Sequence, residues 1–229
     1  MIEMGDLREG VMGDNLMDFY ESIFVLPNIE IIGIGTNLNC LNGIMPNQDK
    51  LIQLSLYKQL IETKFNVTIP WISGGTSVTL SLLLSKQIPP AVNHFRIGEA
   101  LFFANDLFTG QIFEGMVPDV FKLYTEIIEL YEKPIIPSGE QIANVAGHIP
   151  EFDPEDHGKT TFRAIIDVGL LDINPDFLIP EDESIKIIEA SSDMLVMDLG
   201  DNKKGFKTGD LISFKVRYMG VLGLMNSNY

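Results

Sequence analysis

The chain has 229 residues, of which 45% are hydrophobic and 21% charged, so it can build a sizeable core and is not a disordered chain. Its formal charge of −16 argues against nucleic-acid and anionic-membrane partners, because both reward lysine and arginine. No apolar run reaches the roughly 18–20 residues of a membrane span, the first residues lack a signal-peptide pattern, and the single Cys40 excludes an intramolecular disulfide or a cysteine-rich zinc site. A cytoplasmic protein is expected.

In chain order, the first hundred residues alternate strand-like and helix-like segments. MIEM (1–4) reads as a short strand, followed by the GDLREG turn. A helix is expected from Asp14, as N-cap, to Phe24. IEIIGIGT (29–36) reads as a second strand. A helix over about 47–65 follows, with Leu51, Leu54, Leu56, Leu60 and Ile61 on one broad apolar face. TIPWI (68–72) is a third strand that runs into SGGTS and a helix through Leu80–Leu84; NHFRIG (93–98) is a fourth, and FANDLFTGQIF (103–113) after it reads as a loop. This alternation predicts a parallel α/β sheet or part of a barrel.

The remainder changes character. Residues 1–110 hold 6 basic and 11 acidic side chains, whereas residues 111–229 hold 10 and 21. DVFKLYTEIIELYE (119–132) has the spacing of an amphipathic helix that ends before Pro134. After it come short apolar runs at 134–137, 160–169, 185–191, 194–199 and 211–218, separated by turns such as GDNKKG and KTGD. An antiparallel β domain follows from that pattern. The predicted division is an α/β domain over 1–115 and a helix plus C-terminal β domain over 116–229.

Two turns carry the functional signal. Ser73-Gly74-Gly75-Thr76-Ser77 leaves one strand and opens a helix, and Arg96-Ile97-Gly98-Glu99 ends the next strand in the same way. Glycines let the backbone approach an anion, and helix N-termini present free N–H groups. In (β/α)8 barrels a phosphate is often held by the loops after the last two strands. Plain strand-to-helix turns would use the same residues, and no GxxxxGK[ST] motif is present.

The ordered set GDLREG (5–10), GIGTNLNC (33–40), ISGGTS (72–77), FRIGEA (95–100), ASSD (190–193) and the tyrosine-containing end (218–229) resembles ornithine-racemase-like proteins of the alanine racemase superfamily. The resemblance runs over almost the whole chain. It implies a fold: the C-terminal half of a pyridoxal-phosphate-binding (β/α)8 barrel, about four βα units, followed by a mostly antiparallel β domain. It also implies pyridoxal 5′-phosphate as cofactor, an amino-acid substrate and a homodimer in the intact enzyme. Thr76, Ser77, Gly98 and Glu99 fall on the phosphate cradle, and Arg96 on the arginine that faces the pyridine nitrogen. Asn37 stands where alanine racemases carry a histidine hydrogen-bonded near that arginine. Tyr229 falls on a C-terminal tyrosine that touches the phosphate. Arg8 matches an arginine near the substrate carboxylate, although an exposed loop arginine reads the same. Asp193 falls on a segment that reaches the partner's active site, and is the candidate for a substrate contact or a proton-moving role.

Two departures matter. VGLLD (168–172) covers the segment of the catalytic tyrosine, but the position is Leu170, which cannot move a proton. None of the twelve lysines lies on a Schiff-base motif, and the resemblance puts that lysine ahead of GDLREG, so the chain is expected to be the C-terminal part of a longer enzyme. The activity so implied is racemisation; a decarboxylase, a D-amino-acid aldolase or a non-catalytic cofactor-binding remnant are the alternatives. Cys40 is expected to pack in its loop, and His94, His148 and His157 do not have metal-ligand spacing.

Overall fold

A computed structural model describes residues 1–144 and 147–227. The chain forms two compact units, Met1–Val120 and Phe121–Tyr229.

In the first unit, β1 (Gly33–Gly35) and β2 (Trp71–Ser73) pair in parallel, with Ile34 opposite Ile72. The two neighbouring segments join this pair without forming named strands. Ile2 donates its amide to the Gly35 carbonyl at 2.7 Å, and Ser73 bridges His94 in parallel. Both fall short of the predicted strands. Gly35 lies against its partner so closely that a Cβ there would come 2.7 Å from the Ser73 Cβ.

The helix α1 spans Leu16–Phe24 after a 3-10 turn at Gly13–Asn15, so its cap is Asn15 rather than the expected Asp14, and no side chain caps it. The longer α2 (Gln48–Phe65) starts where the Asn47 side chain accepts the Lys50 amide at 2.8 Å, and stops at Asn66 in the left-handed conformation. Its buried stripe is Leu51, Leu54, Ser55 and Ile61. Leu56 and Leu60 are exposed, because a helix turning about 100° per residue carries them away from that stripe. The expected face was too broad. Two short helices, α3 (Leu80–Leu84) and α4 (Glu99–Phe103), follow the two glycine turns, and the expected loop over 103–113 begins where α4 ends. Ile2, Leu16, Ile34, Leu51, Ile61 and Ile72 form the core.

The second unit corrects one element. The stretch expected to be a helix over 119–132 is β3 (Lys122–Pro134), a 13-residue strand. A register shift between Ile127 and Glu129 interrupts its two-residue period. Leu123, Ile127 and Leu130 therefore sit at i, i+4 and i+7 and imitate a helical stripe. With β4 (Thr160–Ile166), β5 (Leu178–Pro180), β6 (Lys186–Ala190), β7 (Leu195–Asp198) and β8 (Leu211–Val216), it forms an antiparallel sheet of order β5-β8-β3-β4-β7-β6. The first half of β3 pairs with β8 and the second half with β4, so this strand joins the two halves of the sheet. The core holds Ile127, Ile166, Leu195, Met197 and Phe214. A helix not expected from the sequence, α5 (Tyr218–Asn226), packs Gly220 against Phe177, Val216 and Ile173. Among the described residues, no helix is long and apolar enough to cross a membrane.

Candidate functional site

The two glycine turns are tied to each other. Gly74 leaves β2 with its amide on the His94 carbonyl at 2.9 Å, and Arg96 returns its own amide to the Gly75 carbonyl at 2.9 Å. Gly75 has φ +116°, and a Cβ there would come 2.8 Å from the Thr79 hydroxyl. Only glycine meets both conditions without strain. The buried Ser77 hydroxyl accepts the Ala100 amide at 3.0 Å and, more weakly, the Gly98 amide at 3.4 Å. A hydroxyl that accepts twice still has its own proton to give. The Thr76 and Ser77 amides have no hydrogen-bond partner among the described residues. Burial pushes the Glu99 carboxyl upward from its ordinary value.

Arg96 spans the ends of both strands. Its guanidinium donates to the Ser73 hydroxyl and, at 3.1 Å, to the Thr36 carbonyl. Three buried side-chain atoms in these segments have no partner among the described residues: the Thr36 hydroxyl oxygen, the Asn37 Oδ1 and the His94 Nδ1. The Asn37 amide donates to Glu9 at 3.1 Å and to the Cys40 sulfur at 3.2 Å, rather than bonding Arg96. Arg8, in the exposed loop, pairs with Glu9. That bond lowers the Glu9 carboxyl and raises the Arg8 guanidinium. His94 stacks on Trp71 with ring centroids 5.7 Å apart.

Asp6 organises the loop that carries Asn37 and Cys40. Its buried carboxylate accepts the amides of Cys40, Leu41, Asn42 and Ile44 at 2.9–3.2 Å. Burial by itself would raise this carboxyl, but the four backbone donors outweigh it and hold the group below its ordinary value. Sequence reasoning passes over Asp6 and Glu9, and gives Ser73 no role of its own within its turn. Asp6 and Glu9 both lie in the GDLREG segment, where only Arg8 stands out by its chemistry.

Asp193 is in the second unit, exposed, with its carboxylate accepting the Ser192 hydroxyl at 3.0 Å. Its turn lies along the VGLLD segment: Leu170 donates its amide to the Ser191 carbonyl at 2.9 Å and Leu171 to the Ser192 carbonyl at 2.8 Å. Leu170 itself is exposed. Tyr229 lies outside the described residues.

No protein-family model matches the chain. Over its full length it is 35% identical to an ornithine racemase of Acetoanaerobium sticklandii and 34% identical to a lysine racemase of Thermotoga maritima. Over its whole length the chain is similar to the ornithine and lysine racemases. It spans 64% and 63% of the length of those two relatives, and it matches the C-terminal part of the first. Among solved structures, this racemase-like chain resembles alanine racemase from Corynebacterium glutamicum at a TM-score of 0.54 and 15% identity, over 91% of this chain and 53% of that one. Alanine racemase from Bartonella henselae with covalently bound pyridoxal phosphate gives 0.54 and 17%, over 96% and 58%. D-threonine aldolase from Filomicrobium marinum gives 0.56 and 12%, over 97% and 55%. At these identities the likeness shows the shared fold.

Proposed function

We propose that this chain supplies the phosphate-binding end and the β domain of a pyridoxal-phosphate-dependent amino-acid racemase acting on a diamino acid. On this reading Met1–Val120 is the C-terminal half of a (β/α)8 barrel, and the working enzyme is a homodimer. The observation that carries it is the tie between Ser77 and the 98–100 turn, beside an arginine that spans two strand ends.

The residues present fit the cofactor. The partnerless Thr76 and Ser77 amides and the Ser77 hydroxyl proton are donors suited to a phosphate. Partnerless acceptors at Thr36 and Asn37 line the neighbouring strand end. Bound there, pyridoxal phosphate supplies the electron sink that makes the Cα proton of an amino acid removable. Arg96 is the residue that would hold the pyridine nitrogen, and a guanidinium would keep its own proton there, since it does not give it up. The ring nitrogen would then stay unprotonated and the sink would be weaker, which suits reversible proton exchange over bond cleavage elsewhere. Arg8, held by Glu9, binds the substrate carboxylate. Leu170 moves no proton, so the bases that remove and return it come from other positions.

Trp71 is the only tryptophan and stacks on His94, next to the Arg96 segment. Its fluorescence is expected to fall saturably on addition of pyridoxal phosphate, and less with pyridoxal or with inorganic phosphate. Racemisation is then assayed by chiral chromatography after joining the chain to the N-terminal part of the A. sticklandii relative. Conversion of L-ornithine or L-lysine supports the reading. Cofactor binding with no racemisation of either overturns it.

A further inference from the structure

We infer that Glu9 is a positioning residue that occupies one edge of the Arg8 guanidinium and leaves a second edge to grip a carboxylate. Arg8 donates from Nε and from Nη2, the latter at 3.1 Å, to the two oxygens of Glu9. Those donors lie side by side on one edge of the planar fork. A guanidinium has five N–H donors, so both on Nη1 and one on Nη2 stay over. They include a second parallel pair, the arrangement that takes a carboxylate through two bonds. Arg8 makes no other hydrogen bond among the described residues, and its side chain is 47% exposed, so that pair is open to a ligand.

An ion pair between neighbouring surface residues would by itself fix nothing, since such pairs contribute little. Glu9 differs because it is anchored from its other side. The buried Asn37 donates its side-chain amide to Glu9 Oε1 at 3.1 Å, across 28 positions of chain. A tie in the opposite direction comes from Asp6, whose carboxylate accepts four amides from the loop over 40–44. The two ties bracket Arg8. Between them Leu7 has φ +56°, a conformation that a bulky side chain keeps only where its surroundings impose it. The turn thereby buries the Asp6 side chain and leaves that of Arg8 outside. The bond from Arg8 holds the Glu9 carboxyl below its ordinary value against partial desolvation, with help from Asn37 and the charge of Arg96. Glu9 is therefore ionised at neutral pH and keeps its grip.

That the gripped carboxylate is the substrate's rests on the racemase reading; the division of the two edges does not. Charge and positioning call for opposite outcomes when Glu9 is neutralised. By charge alone, removing a carboxylate beside an anion site strengthens anion binding. By positioning, it weakens binding, because the ligand must then immobilise a long side chain that Glu9 had already fixed.

The sequence holds four arginines, so the full chain carrying isotope-labelled arginine gives four Nε–H signals by nuclear magnetic resonance, and Arg8→Lys identifies that of Arg8. The chain is titrated without cofactor, with L-ornithine and with 1,4-diaminobutane, which has the same stem and no carboxylate. L-Ornithine should move the Arg8 signal saturably, and 1,4-diaminobutane should not. In Glu9→Gln the dissociation constant read from that signal should rise about tenfold or more, and the Arg8 Nε–H should exchange faster with water. Glu9→Asp keeps the charge and should recover part of both effects, with circular dichroism unchanged in each variant. No saturable shift with L-ornithine, an equal shift with 1,4-diaminobutane, or equal or tighter L-ornithine binding in Glu9→Gln overturns the proposal. The pyridoxal phosphate titration reads Trp71 and this one reads Arg8, so the two proposals fail separately. A response of Arg8 to L-ornithine with no cofactor effect on Trp71 would sink the racemase reading alone.

Discussion

The Ser77 hydroxyl accepts the Ala100 backbone amide at 3.0 Å, joining the turn after β2 to the start of α4. Both residues are buried, so removing the oxygen leaves an amide in the interior with nothing to bond. That loss costs about 1–3 kcal/mol. Ser77→Ala is therefore expected to lower the stability of the first unit by that amount, measured as chemical denaturation followed through Trp71 fluorescence. It should also weaken pyridoxal phosphate binding. A variant as stable as the parent would mean that the tie contributes nothing.

Arg96→Lys keeps the charge and loses the fork. A lysine offers a point charge on a flexible stem, and cannot hold the Ser73 hydroxyl and the Thr36 carbonyl with the same planar geometry. Hydrogen bonds to charged groups contribute about 1.5–3 kcal/mol, so the affinity for pyridoxal phosphate should fall roughly 10- to 100-fold. The titration that reads Trp71 measures it. Affinity equal to that of the parent would remove Arg96 from the cofactor site.

Ser77 and Arg96 are legible in the sequence because their motifs are local. SGGTS and RIGE each announce a turn, and the pairing of the turns follows from adjacent parallel segments. β3 is not legible, since the irregularity between Ile127 and Glu129 moves its apolar residues onto a helical period. Asp6 is hidden for another reason. Its partners lie 34 to 38 residues away, and a single aspartate in a glycine turn carries no sign of that loop. The helix α5 has no side-chain cap to mark its start at Tyr218, and what holds it is the close seat of Gly220 on Phe177, Val216 and Ile173. That contact spans up to 47 residues and leaves no local pattern.

Asp6 makes the first unit sensitive to acid. Its carboxyl is held below the ordinary value of 3.8 in the folded chain. The stabilisation is therefore complete above that value and is lost as pH falls through the lower folded one. The contribution of Asp6 to stability, measured through Trp71, should be level above about pH 5 and decline below about pH 4. Asp6→Asn keeps the shape but lacks the charge, and should be less stable at neutral pH with a flatter acid limb. An identical acid limb in both proteins would assign the decline to other carboxylates.

Gly169 fixes the turn that carries Asp193. A Cβ at this position would come 2.4 Å from the Met194 amide nitrogen and 2.5 Å from the Asp193 nitrogen and carbonyl carbon, all backbone atoms with no rotamer to change. Gly169→Ala must therefore push the two segments apart, breaking the bonds from Leu170 to Ser191 and from Leu171 to Ser192. Overpacking of this kind costs about 1–3 kcal/mol. The expected signature is faster amide exchange at Leu170 and Leu171, while Leu170→Ala, at an exposed side chain, stays within about 0.5 kcal/mol of the parent. Unchanged exchange at both amides in Gly169→Ala would show that the Asp193 turn yields without loss, and that this close approach does not hold it in place.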